Sequence, residues 1–209
     1  STFLISQQSA QKELARQEAM WHLSQANEVV DRFGGLAAEG LPGSDPLRVK
    51  LLREVERYYL DFIQYAQSDN ELKYELAKVQ FSLSALYARF GDASQAENSY
   101  TKAIAIFEKL RKENGGDDRI QADLALCFHN LAALCKSQGR SPEAFTYYRQ
   151  AIQLQEPLLQ VQTPQPRYLC EWAATLTNFG TLLWECGQAS AAKEHLNKAY
   201  AALSNYLRH

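Results

Sequence analysis

Apolar residues recur along this chain at the three- and four-residue spacing of amphipathic helices. Two stretches near the start show this spacing, residues 8–33 and residues 47–67. The pattern predicts two long helices, because residues three and four apart share one face of a helix. Glycines and prolines gathered in Gly34–Pro46 predict a loop between them. We therefore interpret the first part of the chain as a helix hairpin.

A longer pattern follows, because three segments align without gaps. They are Gln80–Ala103, Phe128–Ala151 and Leu176–Ala199. Each contains a glycine, an alanine five residues later, a large residue after that, and an alanine twelve residues after the glycine. The glycines, Gly91, Gly139 and Gly187, are spaced 48 and 48 residues apart. The chain therefore carries a 48-residue repeat, and the first hairpin is its divergent terminal copy.

Each element of this pattern has a mechanical reason. A glycine ends a helix easily, because it adopts the left-handed conformation at little cost. Asp92, Ser141 or Ser190 is then expected to begin the next helix by accepting unpaired N–H groups. The paired alanines allow two helices to approach closely, and the large residue between them fills the groove. The repeat therefore predicts antiparallel helix hairpins that stack side by side.

These positions resemble the tetratricopeptide repeat (TPR), with its ordered Leu, Gly/Ala, Tyr, Gly, Ala, Phe/Tyr and Ala. The matching residues are Leu83, Ser84, Tyr87, Gly91, Ala96, Tyr100 and Ala103; Leu131, Ala132, Cys135, Gly139, Ala144, Tyr148 and Ala151; and Phe179, Gly180, Leu183, Gly187, Ala192, Leu196 and Ala199. The resemblance implies an all-α, right-handed TPR-like α-solenoid of about eight long antiparallel helices, in four hairpins.

The repeat is longer than the roughly 34 residues of a TPR. The excess corresponds to about two further turns in each helix of a hairpin. We therefore expect helices to continue to about residues 112 and 160, with turns at residues 114–118 and 163–166. The whole chain, residues 1–209, is predicted to form one helical-repeat domain. Its parts are the divergent hairpin (1–70) and three repeats (71–115, 116–163, and 164–209 with the terminal cap).

A second resemblance comes from an ordered string of residues in Ala26–Phe33, Leu47–Glu54 and Tyr58–Phe62. It resembles the helical region C-terminal to the kinase domain in planctomycete-type bacterial serine/threonine kinases. The resemblance covers residues 20–209 and implies a protein-interaction or sensory region. The sequence has no HRD, DFG or Gly-rich kinase motif. A stand-alone relative of such kinases fits equally well.

Composition and charge narrow the classes of partner. The formal net charge is −2 and no run of five basic residues occurs, so nucleic acid is not expected as a partner. The longest uncharged stretch, between Glu171 and Glu185, is too short to span a bilayer. The polar start predicts no signal peptide, and a chain beginning at Ser1 suggests a piece of a longer protein. A parent chain could still carry a membrane tether.

The cysteines and histidines do not form a recognisable catalytic or metal motif. The cysteines are Cys127, Cys135, Cys170 and Cys186, and the histidines are His22, His129, His195 and His209. A metal site or a disulfide is the alternative to buried, reduced thiols, but in a zinc site of Cys127, His129 and Cys135 position 129 would point away from the other two. We expect reduced thiols in a cytoplasmic setting, no cofactor, no metal and no enzyme activity.

The TPR resemblance implies that the first helix of each hairpin lines a concave face that binds a protein or peptide. The family positions fall on Phe81, Ser82, Ala85, Arg89, His129, Asn130, Ala133, Lys136, Thr177, Asn178, Thr181 and Trp184. Asn130 and Asn178 are repeat-equivalent, and their carboxamides could hold an extended peptide backbone. Alternatively, these amides only bond neighbouring helices.

Other features of this face limit the possible partners. Phe81 and Thr177 stand where a clamp for a C-terminal carboxylate would carry basic residues, so such a partner is not expected. Trp184 is either an exposed anchor or buried under the last helix. Tyr58, Tyr59, Tyr147 and Tyr148 are interpreted as packing residues. A second functional hypothesis remains, in which the chain forms a homodimer through residues 8–33 or the last helix, or positions an attached kinase.

Overall fold

The computed structural model describes residues 2–38, 46–67, 69–160 and 165–208, and within these ranges the chain is helical without a strand. Its α-helices are α1 (Thr2–Ala38), α2 (Pro46–Ala66), α3 (Lys73–Phe90), α4 (Ala93–Glu113), α5 (Asp118–Ser137), α6 (Ser141–Gln155), α7 (Pro166–Glu185) and α8 (Ala189–Tyr206). Short 3-10 helices, Asn70–Leu72 and Glu156–Leu159, precede α3 and follow α6. No described helix has the length and apolar character needed to cross a membrane. The predicted set of eight helices is confirmed.

The described chain forms two compact units, unit 1 (residues 1–99) and unit 2 (residues 100–209). In unit 1, α1 packs along α2, and α2 contacts α3. In unit 2, α5 packs along α6 and α7 packs along α8, while α7 also contacts both α5 and α6. Consecutive hairpins of unit 2 therefore stack through the first helix of the later hairpin. The single-domain organisation and its internal boundaries stay a prediction.

The turn at each repeat glycine has the same geometry three times. Gly91, Gly139 and Gly187 have φ of 78°, 74° and 78°. At the second, the Gly139 N–H donates to the Lys136 carbonyl at 3.0 Å, and the Arg140 N–H donates to the Cys135 carbonyl at 2.9 Å. This pair of bonds is the Schellman motif, which satisfies carbonyls that a helix end leaves unpaired. The predicted left-handed glycine turn is confirmed at all three positions.

The residue after each glycine also begins the next helix. Asp92 does so with its side chain, since its Oδ1 accepts a hydrogen bond from the Gln95 N–H at 3.0 Å. Arg140 precedes α6 without a side-chain cap, and its carbonyl accepts the Ala144 N–H at 3.1 Å. The prediction that a serine caps α6 or α8 is wrong, because Ser141 and its counterpart in α8 already lie inside those helices. The turn leaves only one residue between the glycine and the next helix, so the cap position is fixed by the backbone.

Small residues lie where the two helices of a hairpin approach closely. Ala144 and Ala192 are fully buried at the start of α6 and α8. In the last hairpin, a Cβ added at Gly180 would lie 2.9 Å from the Cγ of Leu196, closer than real contacts allow. Tyr148 fills the corresponding groove of the hairpin before it and is almost completely buried. The predicted close approach of α7 and α8 is therefore confirmed, and it depends on the missing side chain at Gly180.

The end of the first helix differs from the prediction. The loop was expected to begin at Gly34, but α1 continues to Ala38. Two adjacent glycines are tolerated within a helix at a cost of about 1 kcal/mol each. Gly43, which counts back 48 residues from Gly91, lies in residues 39–45, outside the described residues.

The later helix ends follow the prediction in one case and not in the other. The helix α4 ends at Glu113, next to the predicted residue 112. The helix α6 ends at Gln155, short of residue 160, and a 3-10 helix takes over. Pro157 gives the physical reason, because a proline has no N–H to continue the ladder of α-helical hydrogen bonds.

We expect Gly139→Ala to lower the free energy of unfolding by about 1–2 kcal/mol, because an L side chain is strained at positive φ. The cost comes from the backbone alone, since an added Cβ at this position meets no atom within 4 Å. Urea denaturation measures it. Gly115→Ala is the matched control, because Gly115 is equally open and does not have a left-handed φ. Equal stabilities for the two variants would contradict the role of the turn.

Gln155 is a polar residue at an apolar position of the repeat. Its side chain is 2% exposed, and neither amide atom has a hydrogen-bond partner among the described residues. The residues 48 positions before and after it are Phe107 and Leu203. A buried amide without a partner costs free energy that an apolar side chain would not.

We therefore expect Gln155→Leu to raise the free energy of unfolding by about 1–2 kcal/mol, as the buried unpaired amide is removed. Chemical denaturation of purified protein checks this expectation. Gln153→Leu, on the exposed side of the same helix, serves as the control and should change stability little. No gain for Gln155→Leu would mean that water or another group satisfies the amide.

Candidate interaction surface

Polar contacts join α5 and α7 along their whole length in unit 2. Near their first turns, Arg167 Nη2 lies 2.9 Å from Asp123 Oδ1. Near their last turns, Lys136 Nζ lies 2.9 Å from Glu185 Oε1. The partners are separated by 44 and 49 residues (167 − 123 and 185 − 136). A separation close to one repeat at both ends means that the two helices run side by side in the same direction.

His129 makes the central contact between these helices. Its Nδ1 lies 2.9 Å from Thr175 Oγ1, and the Asn178 amide Nδ2 lies 3.3 Å from its Nε2. The Thr175 hydroxyl itself donates to the Glu171 carbonyl at 2.9 Å. An amide NH₂ can only donate, so Nε2 is the acceptor and Nδ1 carries the proton that is donated to Thr175.

The same burial that favours this arrangement keeps His129 uncharged. Burial lowers the pKa of His129 below its usual value of 6.5. The ring is therefore a neutral imidazole near pH 7, with both nitrogens occupied by α7. It cannot also serve as a ligand of a zinc site with Cys127 and Cys135. Within the described residues, no group of three or more His, Cys, Asp or Glu side chains is placed to hold a metal ion.

The repeat-equivalent asparagines differ in their surroundings. The Asn178 amide is engaged with His129 of the neighbouring helix, as the local-bonding alternative expects. The half-buried Asn130 amide forms no hydrogen bond within the described part of the chain. Of the two carboxamides proposed to hold a peptide, Asn130 is thus the one whose full hydrogen-bonding capacity is available.

The remaining predicted positions of unit 2 form a strip beside these contacts. Ala133 is half-buried on α5, while Thr177 and Thr181 are exposed on α7. Both threonine hydroxyls donate within their own helix, at 2.8 Å, to carbonyls four residues earlier. Their oxygens still have acceptor capacity. The strip therefore presents mostly acceptors and small side chains, and Lys136, its one cation among the predicted positions, is paired with an acid.

Trp184 ends this strip and is exposed, with 65% of its surface accessible. The alternative of burial under the last helix is therefore wrong for this residue. A shallow hollow of about 450 Å³ lies beside the indole. It is lined by Trp184, Ala189, Ser190, Lys193, Leu196 and Asn197.

In unit 1, the four predicted positions of α3 line one cavity. Phe81, Ser82, Ala85 and Arg89 form one wall of a pocket of about 250 Å³. The other lining residues come from α1 and α2: Val30, Leu51, Leu52, Val55 and Tyr59, with Leu86 from α3. The pocket is largely apolar, so it suits a hydrophobic side chain rather than a charged group.

The polar group at this cavity is a tyrosine–serine pair. Burial raises the pKa of Tyr59, and the opposing effect is a hydrogen bond with the Ser82 side chain. The phenol is therefore protonated at neutral pH. This bond joins α2 to α3 and fixes one wall of the cavity.

The sequence predicted that the tyrosines and cysteines are buried, and this holds for some of them. Tyr59 and Tyr148 are core residues. Cys127 is buried in α5, and burial raises its pKa, so its thiol stays protonated. The prediction of burial is wrong for Cys170 and Cys186, which are exposed because one faces solvent on α7 and the other lies in the turn after it.

The sequence reasoning missed the residues that hold the first helices together. Thr175, Glu185 and Arg167 were not among the predicted positions, although each contacts α5. A usable signal existed, because charges of opposite sign stand about one repeat apart. The α2 wall of the cavity was also missed, since the family positions concern first helices only.

Comparison with known proteins supports the same architecture. The tetratricopeptide repeat family matches residues 124–164, which include most of α5 and all of α6. The structure of BtubC (BKLC) from P. vanneervenii is similar over 96% of this chain and 92% of its own, with 15% identity and a TM-score of 0.63. The fold is that of a TPR-like α-solenoid.

A second solved structure agrees with this fold. The Q17M form of the nearly identical TPR-like repeats from a putative kinesin light chain of Podosopora anserina matches with 19% identity and a TM-score of 0.54. It covers 98% of each chain. No curated protein matches this sequence. Identities this low show the fold alone, and the TPR-like fold is generally a protein–protein interaction module.

Asn178→Ala and Asn130→Ala form a matched pair that tests the His129 contact. Both changes remove an amide at the same repeat position, so their effects on helix propensity cancel. We expect only Asn178→Ala to lower the free energy of unfolding, by about 1 kcal/mol, because it leaves His129 Nε2 without its donor.

The pKa of His129 provides a second measurement for this pair. A donor to Nε2 favours the neutral ring, so Asn178→Ala should raise the pKa of His129 and Asn130→Ala should not. An NMR titration of the histidine ring protons measures both variants. Equal pKa values in wild type and Asn178→Ala would show that the amide does not contact the ring.

Proposed function

We propose that this chain is a non-catalytic interaction module that holds a peptide or protein segment on the face formed by the first helices of its hairpins. In TPR-like solenoids this is the concave face. The observation that carries the proposal is the strip in unit 2, where Thr177, Thr181 and Trp184 are exposed beside Asn130 and Ala133. It combines acceptors, one free amide and an aromatic side chain on rigid helices.

The chemistry of the strip favours a neutral, extended segment. The Asn130 amide can donate to and accept from a peptide backbone, as extended-peptide recognition requires. Trp184 offers a large apolar surface for a partner side chain. Because Lys136 is paired with Glu185 and His129 is neutral, this strip has no free cation to hold a carboxylate. A C-terminal carboxylate is therefore not the feature we expect it to recognise.

The cavity of unit 1 adds a separate apolar position. Its volume of about 250 Å³ is below the usual size of small-molecule pockets, about 300–1,000 Å³. It is therefore better suited to one hydrophobic side chain than to a metabolite or cofactor. We propose it as an anchor site for a protein partner.

The kinase resemblance sets the biological context that we propose. The residue string that carries it lies in α1 and α2, with part of it outside the residues whose side chains are described. On that basis the module is an accessory region or a relative of a bacterial serine/threonine kinase, acting in the cytoplasm. Positioning of an attached kinase, or self-assembly, is the second candidate function. The exposed apolar side chains of α1 and α8 favour the latter.

Selection from a random peptide library tests peptide binding. Peptides that bind the immobilised wild-type chain would be synthesised with a fluorescent label, and their affinity measured by anisotropy. We expect Thr181→Arg and Asn130→Ala each to weaken binding at least about tenfold, which is about 1.4 kcal/mol of binding free energy.

Thr146→Arg is the matched control for this experiment. Thr146 on α6 is also exposed and also bonds the carbonyl four residues earlier, but it lies on a second helix. It should leave the affinity unchanged. If Thr146→Arg weakened binding and Thr181→Arg did not, the binding face would lie on the second helices. A library that yields no binder would also contradict the proposal.

A further inference from the structure

The hairpin α7–α8 exposes a face whose equivalent in the hairpin α5–α6 is buried. In the α5–α6 hairpin, Tyr148 and Ile152 are 1% and 8% exposed. Phe179 of α7 lies against this face, with its ring centroid 5.8 Å from that of Tyr148. One repeat later, the equivalent residues are Leu196 and Tyr200, which are 37% and 72% exposed. The same position of the repeat is therefore core in one hairpin and surface in the next.

The exposed face continues to the end of α8. Leu159 packs against the cluster of Ala122, Leu158 and Tyr168, which α7 helps to form. Its repeat equivalent, Leu207, is 82% exposed. Two apolar side chains of α8 and Leu207 just after it thus follow the stripe that α7 covers on α6 and the 3-10 helix after it. The occupant they fit is the first helix of another hairpin, because that is the element that docks there within unit 2.

Among the described first helices, α1 has exposed apolar side chains along one stripe. Leu14 and Trp21, seven residues apart on α1, are 58% and 54% exposed. Both line a shallow hollow of about 420 Å³ with Gln17, Glu18, His22 and, from α2, Tyr65. The buried stripe of α1 packs on α2, and the exposed Trp21 also contacts Tyr58 of α2 edge to face, with ring centroids 6.0 Å apart. A second copy of the chain therefore offers a first helix of the kind that the α8 face accepts.

The charges of the two stripes are complementary. Glu18 lies between the two apolar residues of α1, and Lys193 lies beside Leu196 in the hollow at the start of α8. Neither forms an ion pair within the described residues. An acid and a base without partners on two apolar stripes favour their pairing across an interface.

We propose that copies of this chain associate head to tail, with the α8 face of one copy docked on the outer stripe of α1 of the next. The contact continues the stacking seen between α6 and α7. It is heterologous, so each copy keeps one free face and the association extends to chains of copies. This inference deepens the self-assembly alternative and does not depend on peptide binding by the strip on α5 and α7.

Complementary variants give the decisive experiment. Tyr200→Glu blocks the α8 face and Trp21→Glu blocks the α1 face, and both residues are exposed. In analytical ultracentrifugation, wild type should form species that grow with concentration, while each variant alone stays monomeric. An equimolar mixture of the two variants should form a one-to-one dimer and nothing larger, since one intact face of each kind remains.

Two further variants test the specificity of the contact. Leu60→Glu is the control, because Leu60 is an exposed apolar residue of α2 outside both stripes; it should assemble as wild type does. Glu18→Lys and Lys193→Glu should each weaken association, and the double variant should restore it. Circular dichroism confirms that every variant is helical.

The outcomes separate the possible occupants. A dimer that persists in Trp21→Glu but not in Tyr200→Glu would mean that two α8 faces meet, and it would overturn the head-to-tail arrangement. Wild type that stays monomeric throughout the micromolar range would assign the α8 face to another occupant, such as a further hairpin or a different protein, and would also overturn it. Peptide binding can succeed or fail independently of either result.

Discussion

The left-handed glycine that follows a helix end at three places is the constraint on which the rest of the structure depends. Gly91, Gly139 and Gly187 each leave a single residue before the next helix begins. With so short a connection, the two helices of each hairpin in unit 2 return side by side. Their facing positions must then be small, which explains the buried alanines and the glycine at position 180. The turn does not fix the length of the helices, and helices longer than those of a TPR of about 34 residues give the 48-residue period.

Polar groups join the two first helices of unit 2, α5 and α7, in addition to their apolar contacts. An ion pair near each end and the His129 contact in the middle fix the register of α5 on α7. Since a hydrogen bond requires a particular donor and acceptor at a particular distance, such a seam specifies alignment more strictly than apolar packing does. At this seam the charge of Lys136 is balanced by Glu185, and burial keeps His129 neutral. The proposed binding strip beside it is therefore nearly neutral.

Much of this fold could be predicted from the sequence, because the backbone demands specific residues at a few places. A positive φ selects glycine and a close helix contact selects alanine, so Gly139 and Ala144 mark the hairpin directly. The serine caps could not be placed, because Ser141 competes with a turn geometry that already supplies the cap. The end of α6 was missed because Pro157 was not weighed against the repeat pattern.

The candidate surface was harder to predict than the hairpins. The engagement of Asn178 depends on how far α7 slides along α5, and no pattern within one helix contains that distance. Asn130 and Asn178 are identical in repeat register, but the residue one repeat before His129 is Phe81, so the sequence offers Asn130 no equivalent histidine. The exposure of Trp184 could not be predicted for the same reason, because it depends on which other helices pack against this residue. Contacts between repeats therefore set the limit of the prediction.

The long helices have a consequence for how the array responds to stress. In unit 2, the two helices of a hairpin share far more contact with each other than α6 shares with α7. In a one-dimensional array, a strong internal contribution and a weak coupling reduce cooperativity along the chain. The terminal pair α7–α8 can then melt while its neighbour stays folded, as a separately opening segment. We therefore expect unit 2 to unfold in steps that begin with α7–α8, rather than in a single cooperative transition.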